Sequence, residues 1–492
     1  MLGTLVALAA VAATSSAPLL QASVDPHDRG RPVPQHFVGF SYELNTVQYN
    51  VVGNRFTGLD EPLAKLMDRI SAGNGAPVLR LGGVGADAAW WNPSGAPRPK
   101  GVEFDLNPFY FEGIAAFQQR THMPVEVGVN MAADRPDWAA ATARAAMQAR
   151  GARNIFAVEV GNEPDVYPRR PYDSTGRNVR PKRWGFKDYL REYPRFARAL
   201  RQVSPRLRLS APDAATWEPE IRPFLRRERK RVDLLSYHHY PLTDCPGDPT
   251  DIPNTVDGLL GRRAQGVAGR KFSFLMRIAR AAHRPLRLSE TNSSDCGWHP
   301  NGISDRFGSA LWATDWLFLM AANGLNGVNF HSSGAMSPVF TRWATGRQIH
   351  VATVAPIYYG ILLFSQAMAD HGRVLVRTTL REKVRGNVIA WAVRDRRGTV
   401  RVVVIDKDRR RGGRVALRIP GGSGSASLVR LTAPSLSAQR QSVRLAGQSF
   451  GDETTTGEPE GAAVSEPVRR RGRTYSFHLP AASAAMLTVA RG

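Results

Sequence analysis

The segment VEVGNEPDVY, residues 158–167, joins a buried strand to a polar turn. Its apolar run ends at Val160, and Asn162, Glu163 and Pro164 follow the intervening glycine. A glutamate in this place is either a solvated charge at a strand end or a functional group held at the edge of a sheet. Its role depends on how many similar strands the chain contains and where Glu163 lies among them.

Apolar runs of the same kind recur between residues 36 and 370 and alternate with amphipathic stretches of helical periodicity. Helices are predicted at 61–71, 135–150, 184–203 and 303–324, the last ending at Gly324 as its C-cap. Eight strand–helix units predict an α/β chain folded as a (β/α)8 TIM barrel. The alternative is a doubly wound open sheet, but that fold calls for a glycine-rich turn after strand one, and residues 40–48 contain no glycine. Strands are predicted at 36–44, 77–83, 124–130, 155–161, 207–213, 232–240, 285–290 and 325–332.

The pattern changes after about residue 370 to short alternating strands separated by turns rich in Gly, Pro, Ser and Arg. This is typical of an all-β sandwich. The domains are therefore predicted as a catalytic barrel over residues 36–370 and a β-sandwich over residues 371–492. Within the sandwich, the polar segment 447–472 is predicted as an exposed, mobile loop.

The first 22 residues are small and apolar and carry no charge, which predicts a signal peptide over residues 1–22 although the usual positive start is missing. A buried N-terminal helix is the alternative. No other segment reaches about 18 uninterrupted apolar residues, so no membrane-spanning segment is expected. The protein is predicted to be secreted, periplasmic or extracellular. Two cysteines, Cys245 and Cys296, are compatible with one disulfide or with two free thiols.

A net charge of +24 raises the question of a polyanionic partner. The basic runs at 225–233, 406–414 and 467–473 lie far apart and lack interleaved aromatic residues, so nucleic acid is not expected. We interpret the charge as a solvated surface that steers anionic substrates. The chain has no phosphate-binding loop and no Gly-x-Ser-x-Gly motif, and no HExxH or CxxC accompanies the adjacent His238 and His239. No metal or organic cofactor is expected, and the oligomeric state is not indicated.

The carboxyl ends of the strands in a (β/α)8 barrel line the active site. Glu163 ends strand four and Glu290 ends strand seven, so the two carboxylates are expected about 5–5.5 Å apart, as in retaining glycosidases. One glutamate at a strand end is usually an exposed charge, and the pairing is what indicates catalysis. Trp90 and Trp91 either stack on a sugar or pack internally. The remaining polar residues at strand ends are Tyr42, Glu43, Arg80, Asp87, Asn130, Asn162, Asp213, His238, His239, Tyr240, Asn329 and His331.

Three of these residues have an expected role beside the carboxylates. Asn162 is expected to hydrogen-bond a sugar 2-hydroxyl. Tyr240 and Arg80 are expected to keep Glu290 ionised, because a donor and a positive charge both favour the carboxylate. The predicted substrate-binding set is Glu43, Asn162, Tyr240, Arg80, Asp87, Asn130, His238 and Asn329.

Several motifs follow one another along the chain: FVGFSYEL (37–44), VLRLGGVGADAAWWNP (78–93), VEVGNEPDVY (158–167), LLSYHHYP (234–241), RLSETNSS (287–294), GVNFHSSG (327–334) and AASAAMLTVA (481–490). In this order they resemble the motifs of glycoside hydrolase family 79 of clan A, the β-glucuronidase and heparanase group. The resemblance covers about residues 24–490 and implies that Glu163 is the general acid/base and Glu290 the nucleophile, supported by Asn162 and Tyr240. It also implies that Glu43 contacts a sugar hydroxyl and that the segment at residues 23–35 adds a strand to the sandwich.

The chain departs from the family pattern in the pocket. The family's Gly-Gly-Asn-Ser after strand two is replaced here by Gly-Gly-Val-Gly at residues 82–85, and Asp295 and Ala335 stand where uronate-binding members have tyrosines. A carboxylate at position 295 would repel a uronate unless it is turned away. Cys245 and Cys296 follow strands six and seven on neighbouring loops over the active-site face, and a disulfide between them is predicted.

The resulting prediction is a retaining glycoside hydrolase that cleaves β-glycosidic bonds by double displacement, with β-glucuronides or other uronic-acid-containing glycans as substrates. The alternatives are a clan A hydrolase of neutral β-glycosides, a non-catalytic carbohydrate-binding protein on a degenerate barrel, and a basic polymer-binding surface protein.

Overall fold

The computed structural model describes residues 20–25, 27–47, 58–149, 155–170, 178–245, 251–296, 299–344, 349–375, 383–384 and 386–492. Within this part of the chain, eight parallel strands close into a barrel in which each strand pairs with the next and the eighth pairs with the first. The predicted (β/α)8 architecture and all eight predicted strands are confirmed. Barrel strands one to eight are Val38–Glu43, Val78–Gly82, Val125–Val129, Ile155–Val160, Leu209–Ala214, Leu234–His238, Leu286–Thr291 and Gly327–Ser332.

Helices surround the barrel, and each of the four predicted helices is present. The helix Gly308–Asn323 ends at Gly324, which adopts the left-handed conformation with φ of 89° and closes the helix as a C-cap. None of the helices in the described ranges combines the length and apolar character needed to cross a bilayer. The helices are Glu61–Asn74, Val84–Asp87, Pro108–Thr121, Pro136–Gln148, Phe186–Val203, Ile221–Glu228, Val256–Leu260, Arg262–Ala281, Gly308–Asn323 and Pro356–Ala367, with short 3-10 turns at Pro164–Val166, Gly334–Met336 and Arg440–Ser442.

The C-terminal domain is built from antiparallel strands joined to two strands that precede the barrel. Leu20–Ser23 pairs in parallel with Gly413–Arg418, and Arg31–Pro32 pairs with Arg373–Leu375. The other strands of this domain are Lys383–Val384, Val388–Arg394, Val400–Asp406, Ser425–Thr432, Arg444–Leu445, Glu466–Arg471, Thr474–Leu479 and Ser483–Val489.

The N-terminal boundary differs from the prediction. Leu20 and Ala22 are buried in the apolar core of the sandwich, yet they fall inside the segment 1–22 that was predicted as a signal peptide. The strand therefore begins three residues before the predicted boundary at residue 23. Residues 1–19, which hold the rest of the predicted leader, lie outside the described part of the chain.

The segment 447–472 is largely exposed, as its composition predicted, but parts of it are bound to the rest of the fold. Glu466–Arg471 is a strand of the sandwich, and Thr454 exchanges backbone hydrogen bonds with Ala352 in the hairpin Val339–Ala344 and Ile349–Val354. Further along, the carbonyl of Gly457 accepts a hydrogen bond from Arg69 on the first barrel helix. Backbone contacts of this kind hold a polar segment in place without an apolar signature, which is why composition did not show them.

One apolar core extends across both domains, and the sandwich has a second core of its own. At their junction, Asp315 on the helix Gly308–Asn323 accepts hydrogen bonds from Trp391 Nε1 at 2.7 Å and from Lys407 Nζ at 2.6 Å. Phe318 on the same helix stacks on Trp391 with the ring centroids 5.7 Å apart. This junction fixes the barrel against the sandwich through a paired, buried charge and a stacked aromatic pair.

Candidate active site

Two short strands link the loops that follow barrel strands six and seven over the mouth of the barrel. Leu242–Thr243 pairs in parallel with Ser294–Asp295, and the disulfide between Cys245 and Cys296 closes the same pair of loops. The predicted disulfide is thus present in the structure. These loops fix the position of the segment that directly follows Glu290.

Glu163 and Glu290 converge at this mouth. One carboxylate oxygen of each lies within 4.8 Å of the other, close to the separation of about 5–5.5 Å found in retaining glycosidases. Glu163 is more open, since 22% of its side chain is exposed against 9% for Glu290. The two carboxylates therefore have different surroundings although they are neighbours.

Glu290 points into the barrel because strand seven bulges. The pairing with strand six shifts so that Tyr237 lies opposite Leu288 and His238 lies opposite Glu290. Strict alternation would turn Ser289 inward and Glu290 outward. The extra residue turns both inward, as β-bulges commonly do beside active sites.

Hydrogen-bond donors and positive charges surround the Glu290 carboxylate. Arg80 Nη1 donates to Oε2 at 2.6 Å and the Tyr240 hydroxyl donates to Oε1 at 2.8 Å. Burial alone would raise the pKa of Glu290, but the charges of His331, His238 and Arg80 outweigh it and, with the Tyr240 hydrogen bond, lower the pKa to about 2. Glu290 is therefore ionised at neutral pH, the state that a nucleophile requires.

Glu163 is held in a conformation that a non-glycine residue adopts only under constraint. Its φ is 49°, and its backbone N–H donates to the Asp213 carbonyl at 3.0 Å. Pro164, directly after it, begins a 3-10 turn. Left-handed backbone at a non-glycine residue costs about 1–3 kcal/mol and is concentrated at functional sites. Here it directs the Glu163 side chain towards the open side of the pair.

His238 connects Glu163 to a second buried acid. Its Nδ1 lies 2.9 Å from Glu163 Oε1, and its Nε2 lies 2.9 Å from Asp213 Oδ2. Burial opposes the charged imidazole, but the nearby charges of Asp213 and Glu290 raise the pKa of His238 well above its usual range. The pKa of Asp213 is lowered against burial, chiefly by His238 and Arg80. A charged His238 donates from both nitrogens, so it fixes the carboxylate plane of Glu163.

Arg80 is the centre of the buried network below the pair. It donates to Glu159 through two bonds of 2.6 and 2.7 Å, to Asn162 Oδ1 at 3.0 Å and to Ser41 Oγ at 2.7 Å, in addition to Glu290. The sequence interpretation placed Arg80 beside the nucleophile but missed Glu159. The available signal was a charge within an otherwise apolar strand, between Val158 and Val160.

His331 at the end of strand eight is a second residue absent from the predicted substrate-binding set. Its Nδ1 lies 3.0 Å from Ser41 Oγ and 3.5 Å from Glu290 Oε2, while its Nε2 lies 3.6 Å from Glu43 Oε1. It therefore spans the distance between Glu43 and Glu290 at the mouth of the barrel. Its position at a strand end, shared with the other predicted residues, was the signal that could have included it.

Glu43 is at the mouth, as expected, and its carboxylate is anchored by backbone. Gly85 N donates to Oε2 at 2.7 Å and Val84 N donates to Oε1 at 3.3 Å. Burial, the largest influence, raises the pKa of Glu43. A Cβ at Gly83, where φ is 70°, would lie 2.3 Å from Glu43 Oε1, so this glycine is required for the approach. The backbone at residues 84 and 85 therefore anchors Glu43 through N–H groups and not through the side chains in which this segment departs from the family pattern.

Two of the predicted substrate-binding residues are supports and not contacts. Asp87 is buried and accepts hydrogen bonds from the backbone N–H groups of Met131, Ala132 and Asn162 and from the Tyr167 hydroxyl. Asn130 donates to the Ala89 carbonyl and accepts from the Ala133 N–H. Their polar atoms are occupied in holding loops, which leaves none facing a ligand.

Asn329 is also misassigned by the sequence interpretation. Its side chain is fully buried deep in the barrel and accepts from Arg287 Nε at 3.0 Å and Nη2 at 2.7 Å. It lies one inward position before His331 on strand eight, which places it a layer below the mouth. The end of strand eight was predicted correctly at residue 332, but the prediction did not separate the inward positions of the strand by their depth in the barrel.

Aromatic residues near the mouth pack against other rings. Trp90 lies 5.7 Å from Trp138 and Trp91 lies 5.8 Å from Phe111, measured between ring centroids. His239 stacks on Trp316 outside the barrel, so adjacent His238 and His239 do point to opposite faces. These contacts favour internal packing of Trp90 and Trp91 over stacking on a sugar.

A cavity of about 320 Å³ opens beside Glu163. It is bordered by Tyr240, by apolar side chains that include Leu242 and Ile252, and by Asp295. Neither Glu43 nor Glu290 lines it, so it lies on the Glu163 side of the pair. Asp295 accepts a hydrogen bond from the backbone N–H of Cys296 at 2.8 Å, which ties its carboxylate to its own loop.

Two clusters within the described residues have the ligand types of a metal site. Glu163, His238 and Glu290 form one, and Cys245, Asp295 and Cys296 form the other. In the first, the ligand atoms already hydrogen-bond one another or Arg80. In the second, the cysteines are joined in a disulfide and offer no thiolate. Both arrangements fit structural and proton-transfer roles better than ion binding.

Comparison with known proteins finds similarity to one family of glycoside hydrolases. Residues 390–486 match the family model described as "Glycosyl hydrolase family 79 C-terminal beta domain". A β-glucuronidase of Neurospora crassa is 25% identical over 396 residues, an alignment that covers 71% of this chain and 66% of that protein, slightly less than two thirds of its length. A β-glucuronidase of Aspergillus niger is 24% identical over 434 residues, covering 80% of this chain and 75% of that protein.

Solved structures share the fold over nearly the whole chain. A 4-O-α-L-rhamnosyl-β-D-glucuronidase from Fusarium oxysporum superposes with a TM-score of 0.74 at 18% identity, covering 95% of this chain and 100% of that chain. A family 51 arabinofuranosidase from Xanthomonas axonopodis pv. citri has a TM-score of 0.70 at 16% identity, covering 96% and 100%. At these identities the likeness concerns the fold.

Proposed function

We propose that this chain, a member of glycoside hydrolase family 79, is a retaining β-glucuronidase whose acid/base is Glu163 and whose nucleophile is Glu290. The observation that carries the proposal is the carboxylate pair itself. Its oxygens lie within 4.8 Å, and its two members have the unequal environments that double displacement requires. The named relatives, both β-glucuronidases, support the choice of sugar.

In the first step, Oε2 or Oε1 of Glu290 attacks the anomeric carbon while Glu163 gives its proton to the glycosidic oxygen. The bond to the leaving alcohol breaks, and the sugar becomes an ester of Glu290. Arg80 and Tyr240 hold the carboxylate in place before the attack. As the ester forms, negative charge leaves Glu290 and the Arg80 guanidinium retains Glu159 as its counter-ion.

In the second step, water enters on the leaving-group side, where the cavity beside Glu163 lies. Glu163, now ionised, takes a proton from this water, and the oxygen attacks the anomeric carbon and releases Glu290. His238 stabilises the ionised form of Glu163 through the bond of 2.9 Å to Oε1. This leaves the other carboxylate oxygen of Glu163 available for the proton transfers.

Asp295 does not oppose a uronate on the sugar side of the site. Asp295, which the sequence interpretation expected to repel a uronate, lines the leaving-group cavity and is tied to its loop. It therefore faces the aglycone more than the bound sugar. A second candidate, hydrolysis of neutral β-glycosides, is favoured by one observation: Asp295 and Ala335 stand at positions where the resemblance implies uronate-binding tyrosines.

A panel of aryl β-glycosides separates these candidates. The purified protein is assayed with the glucuronide, glucoside, xyloside and galactoside of one aglycone, and Glu290→Ala is the control. We expect kcat/KM for the glucuronide to exceed that of each neutral glycoside by at least about tenfold. A neutral glycoside as the best substrate would establish the second candidate. No hydrolysis of any member would instead favour a carbohydrate-binding protein, and unchanged hydrolysis by Glu290→Ala would exclude the assigned nucleophile.

We also propose that the enzyme acts outside the cytoplasm. The disulfide between Cys245 and Cys296 supports this, since such bonds persist in oxidising compartments. Detection of the mature protein in the culture medium or periplasm, with its N-terminus mapped by mass spectrometry, tests the proposal. We expect the mature protein to begin at Leu20 or at an earlier residue, because Leu20 is the first residue of a buried strand.

A further inference from the structure

A positively charged groove lies on the outer wall of the barrel. It has a volume of about 540 Å³ and runs between the helix Ile221–Glu228 and the C-terminal end of the helix Arg262–Ala281. Its floor includes the apolar side chains of Leu225 and Ile278. The cations around it are Arg222, Arg226, Arg227, Arg229, Lys230 and Arg277.

The connectivity of the chain places this groove far from the catalytic pair. Both helices run back from the carboxyl ends of the strands, and their last residues lead into strands six and seven at Leu234 and Leu286. The groove is therefore at the amino ends of the strands, whereas Glu163 and Glu290 are at the carboxyl ends. A small ligand bound there cannot reach the reacting bond, and only a long polymer could extend from the groove to the catalytic pair.

Five of the six cations of the groove have no acidic partner in the described part of the chain. Arg227 lies 3.6 Å from Glu228, whose side chain is buried and is shared with Arg231. Within the described ranges, no ion pair forms at the other five cations, Arg222, Arg226, Arg229, Lys230 and Arg277. They are all exposed. Five uncompensated charges around one concavity create a local positive potential.

Other basic runs of the chain differ from this groove. In the run at 406–414, Arg409 is paired with Asp257 at 2.6 Å. The run at 467–473 lies along the strand Glu466–Arg471 and its turn, where Arg469, Arg471 and Arg473 project from the surface without lining any of the described cavities. The groove is distinguished by concave shape, by contributions from two helices and by an apolar floor.

We propose that this groove binds a segment of an anionic polysaccharide that bears repeated uronate carboxylates, and that it anchors the polymer without taking part in catalysis. Guanidinium groups suit this ligand because each can pair with a carboxylate through two parallel hydrogen bonds. The apolar floor suits the C–H face of a pyranose ring. The preference for a glycan over a nucleic acid rests on the proposed function. It is also supported by the lining, which contains none of the aromatic side chains on which bases stack.

An anchoring site of this kind acts on polymeric substrates alone. It raises the local concentration of chain ends near the enzyme, so it lowers KM for a polymer and leaves kcat unchanged. A small aryl glycoside has nothing to place in the groove, and its kinetics do not depend on it. This difference separates the groove from general electrostatic steering, which acts on every anionic substrate.

The test compares two charge-reversed variants of the full chain in the Glu290→Gln background, which prevents turnover. The groove variant carries Arg226→Glu, Arg229→Glu and Arg277→Glu. The control carries Arg469→Glu, Arg471→Glu and Arg473→Glu, with the same change in net charge. Binding of soluble polygalacturonate is measured by calorimetric titration, with a neutral xylan and a single-stranded oligonucleotide as further probes, and thermal melting confirms that each variant is folded.

We expect the groove variant to bind polygalacturonate at least about tenfold more weakly than the parent and the control to stay within about threefold. Raising the salt concentration should weaken the parent's binding, since exposed charges are screened. Equal losses in both variants, or no binding by the parent, would overturn the proposal. Tighter binding of the oligonucleotide than of polygalacturonate, lost in the groove variant, would assign the groove to nucleic acid instead.

If the groove variant does not fold, the milder pair Arg226→Gln and Arg277→Gln replaces it with the same criterion. Because the titrations use a variant that cannot turn over, they hold whether or not glucuronides are hydrolysed. Glucuronide hydrolysis with unaltered polymer binding by the groove variant would refute this inference alone. Absence of hydrolysis with groove-dependent binding would refute the proposed function alone.

Discussion

Arg80 Nη1 donates to Glu290 Oε2 across 2.6 Å, and the same guanidinium is held by Glu159 through two further hydrogen bonds. Burial, the largest influence, raises the pKa of Glu159, and the charge of Arg80 opposes that shift. The arrangement positions the proposed nucleophile from below. Removing Arg80 would leave Glu159 buried without a partner. Variants of other groups around the carboxylate pair therefore test the site more directly than an Arg80 variant.

Azide distinguishes the roles of Glu163 and Glu290. In Glu290→Ala, kcat for an aryl glycoside should fall at least about 1000-fold, and azide should restore turnover by occupying the vacated space and yielding the α-glycosyl azide. In Glu163→Ala, a poor leaving group should be affected far more than a dinitrophenyl group, and azide should give the β-glycosyl azide. Product configuration is read by NMR. A β-glycosyl azide from Glu290→Ala and an α-glycosyl azide from Glu163→Ala would mean that the two roles are exchanged.

Tyr240→Phe should shift the pH profile. The variant removes one hydrogen bond to the ionised Glu290, worth about 1.5–3 kcal/mol, so kcat/KM should fall about 10–100-fold. The pKa of Glu290 should rise from its lowered value, and the acid limb of kcat/KM should move to higher pH by about one unit. Tyr237→Phe is the matched control, because its hydroxyl donates to the Ala215 carbonyl away from the pair. An acid limb that moves equally in both variants would contradict this role.

Acid stability should depend on Glu290. Its folded-state pKa of about 2 lies below the ordinary value of 4.5, so its ionisation stabilises the fold above pH 4.5 and this contribution is lost as the pH falls towards 2. The linked free energy is about 3 kcal/mol. Between about pH 5 and pH 3, the melting temperature of Glu290→Gln should therefore fall less than that of the parent. Parallel melting curves over this range would show that Glu290 does not carry the expected pH dependence.

Gly83→Ala should damage the pocket through Glu43. The new Cβ would lie 2.3 Å from Glu43 Oε1 at a backbone φ of 70°, so the carboxylate must move away from the mouth. We expect KM for the best aryl glycoside to rise at least about fivefold, as it should in Glu43→Gln. The control is Gly472→Ala, since Gly472 has a φ of 60° and no neighbouring atom within 4 Å. Gly472→Ala has the same cost of a left-handed backbone at a non-glycine residue. An equal rise in KM in this control would mean that backbone strain, and not the displacement of Glu43, causes the effect.

The disulfide should stabilise the fold by closing a long loop. Cys245 and Cys296 are 51 residues apart, for which the chain-entropy relation gives about 4 kcal/mol. The double variant Cys245→Ser, Cys296→Ser should melt at a lower temperature, and a reductant should lower the melting temperature of the parent but not of the variant. Thiol titration of the denatured parent should find no free thiol before reduction. Two titratable thiols at that stage would exclude the bond.

The barrel followed from local sequence because each of its strands is a short apolar run with a helical period after it. Strand four ends at Val160 and strand seven at Thr291, each within one residue of its predicted end. The carboxylates Glu163 and Glu290 could be found in the same way, since residues at the carboxyl ends of barrel strands face the mouth. Site residues that lie at strand ends can therefore be predicted from a single sequence.

Residue roles inside the barrel were less accessible to sequence reasoning. Asn329 and Asp87 are of the right type for sugar binding, yet one is bonded to Arg287 a layer below the mouth and the other holds backbone N–H groups. Glu159 lies within an otherwise apolar strand and was not predicted as a site residue, yet it accepts two hydrogen bonds from Arg80. A side chain's type states which bonds it can form, but its partners depend on residues far away along the chain.

The sequence by itself determined the alternating strand–helix pattern, the identity of the paired glutamates and the two cysteines on neighbouring loops, because each depends on a few consecutive residues. The tertiary structure alone decided that Glu290 turns inward. A register shift between Tyr237 and His238 adds one residue to strand seven, and the period of two along a strand then reverses the direction of the next side chain. That shift is a property of the pairing between two strands, and neither strand's residues specify it alone.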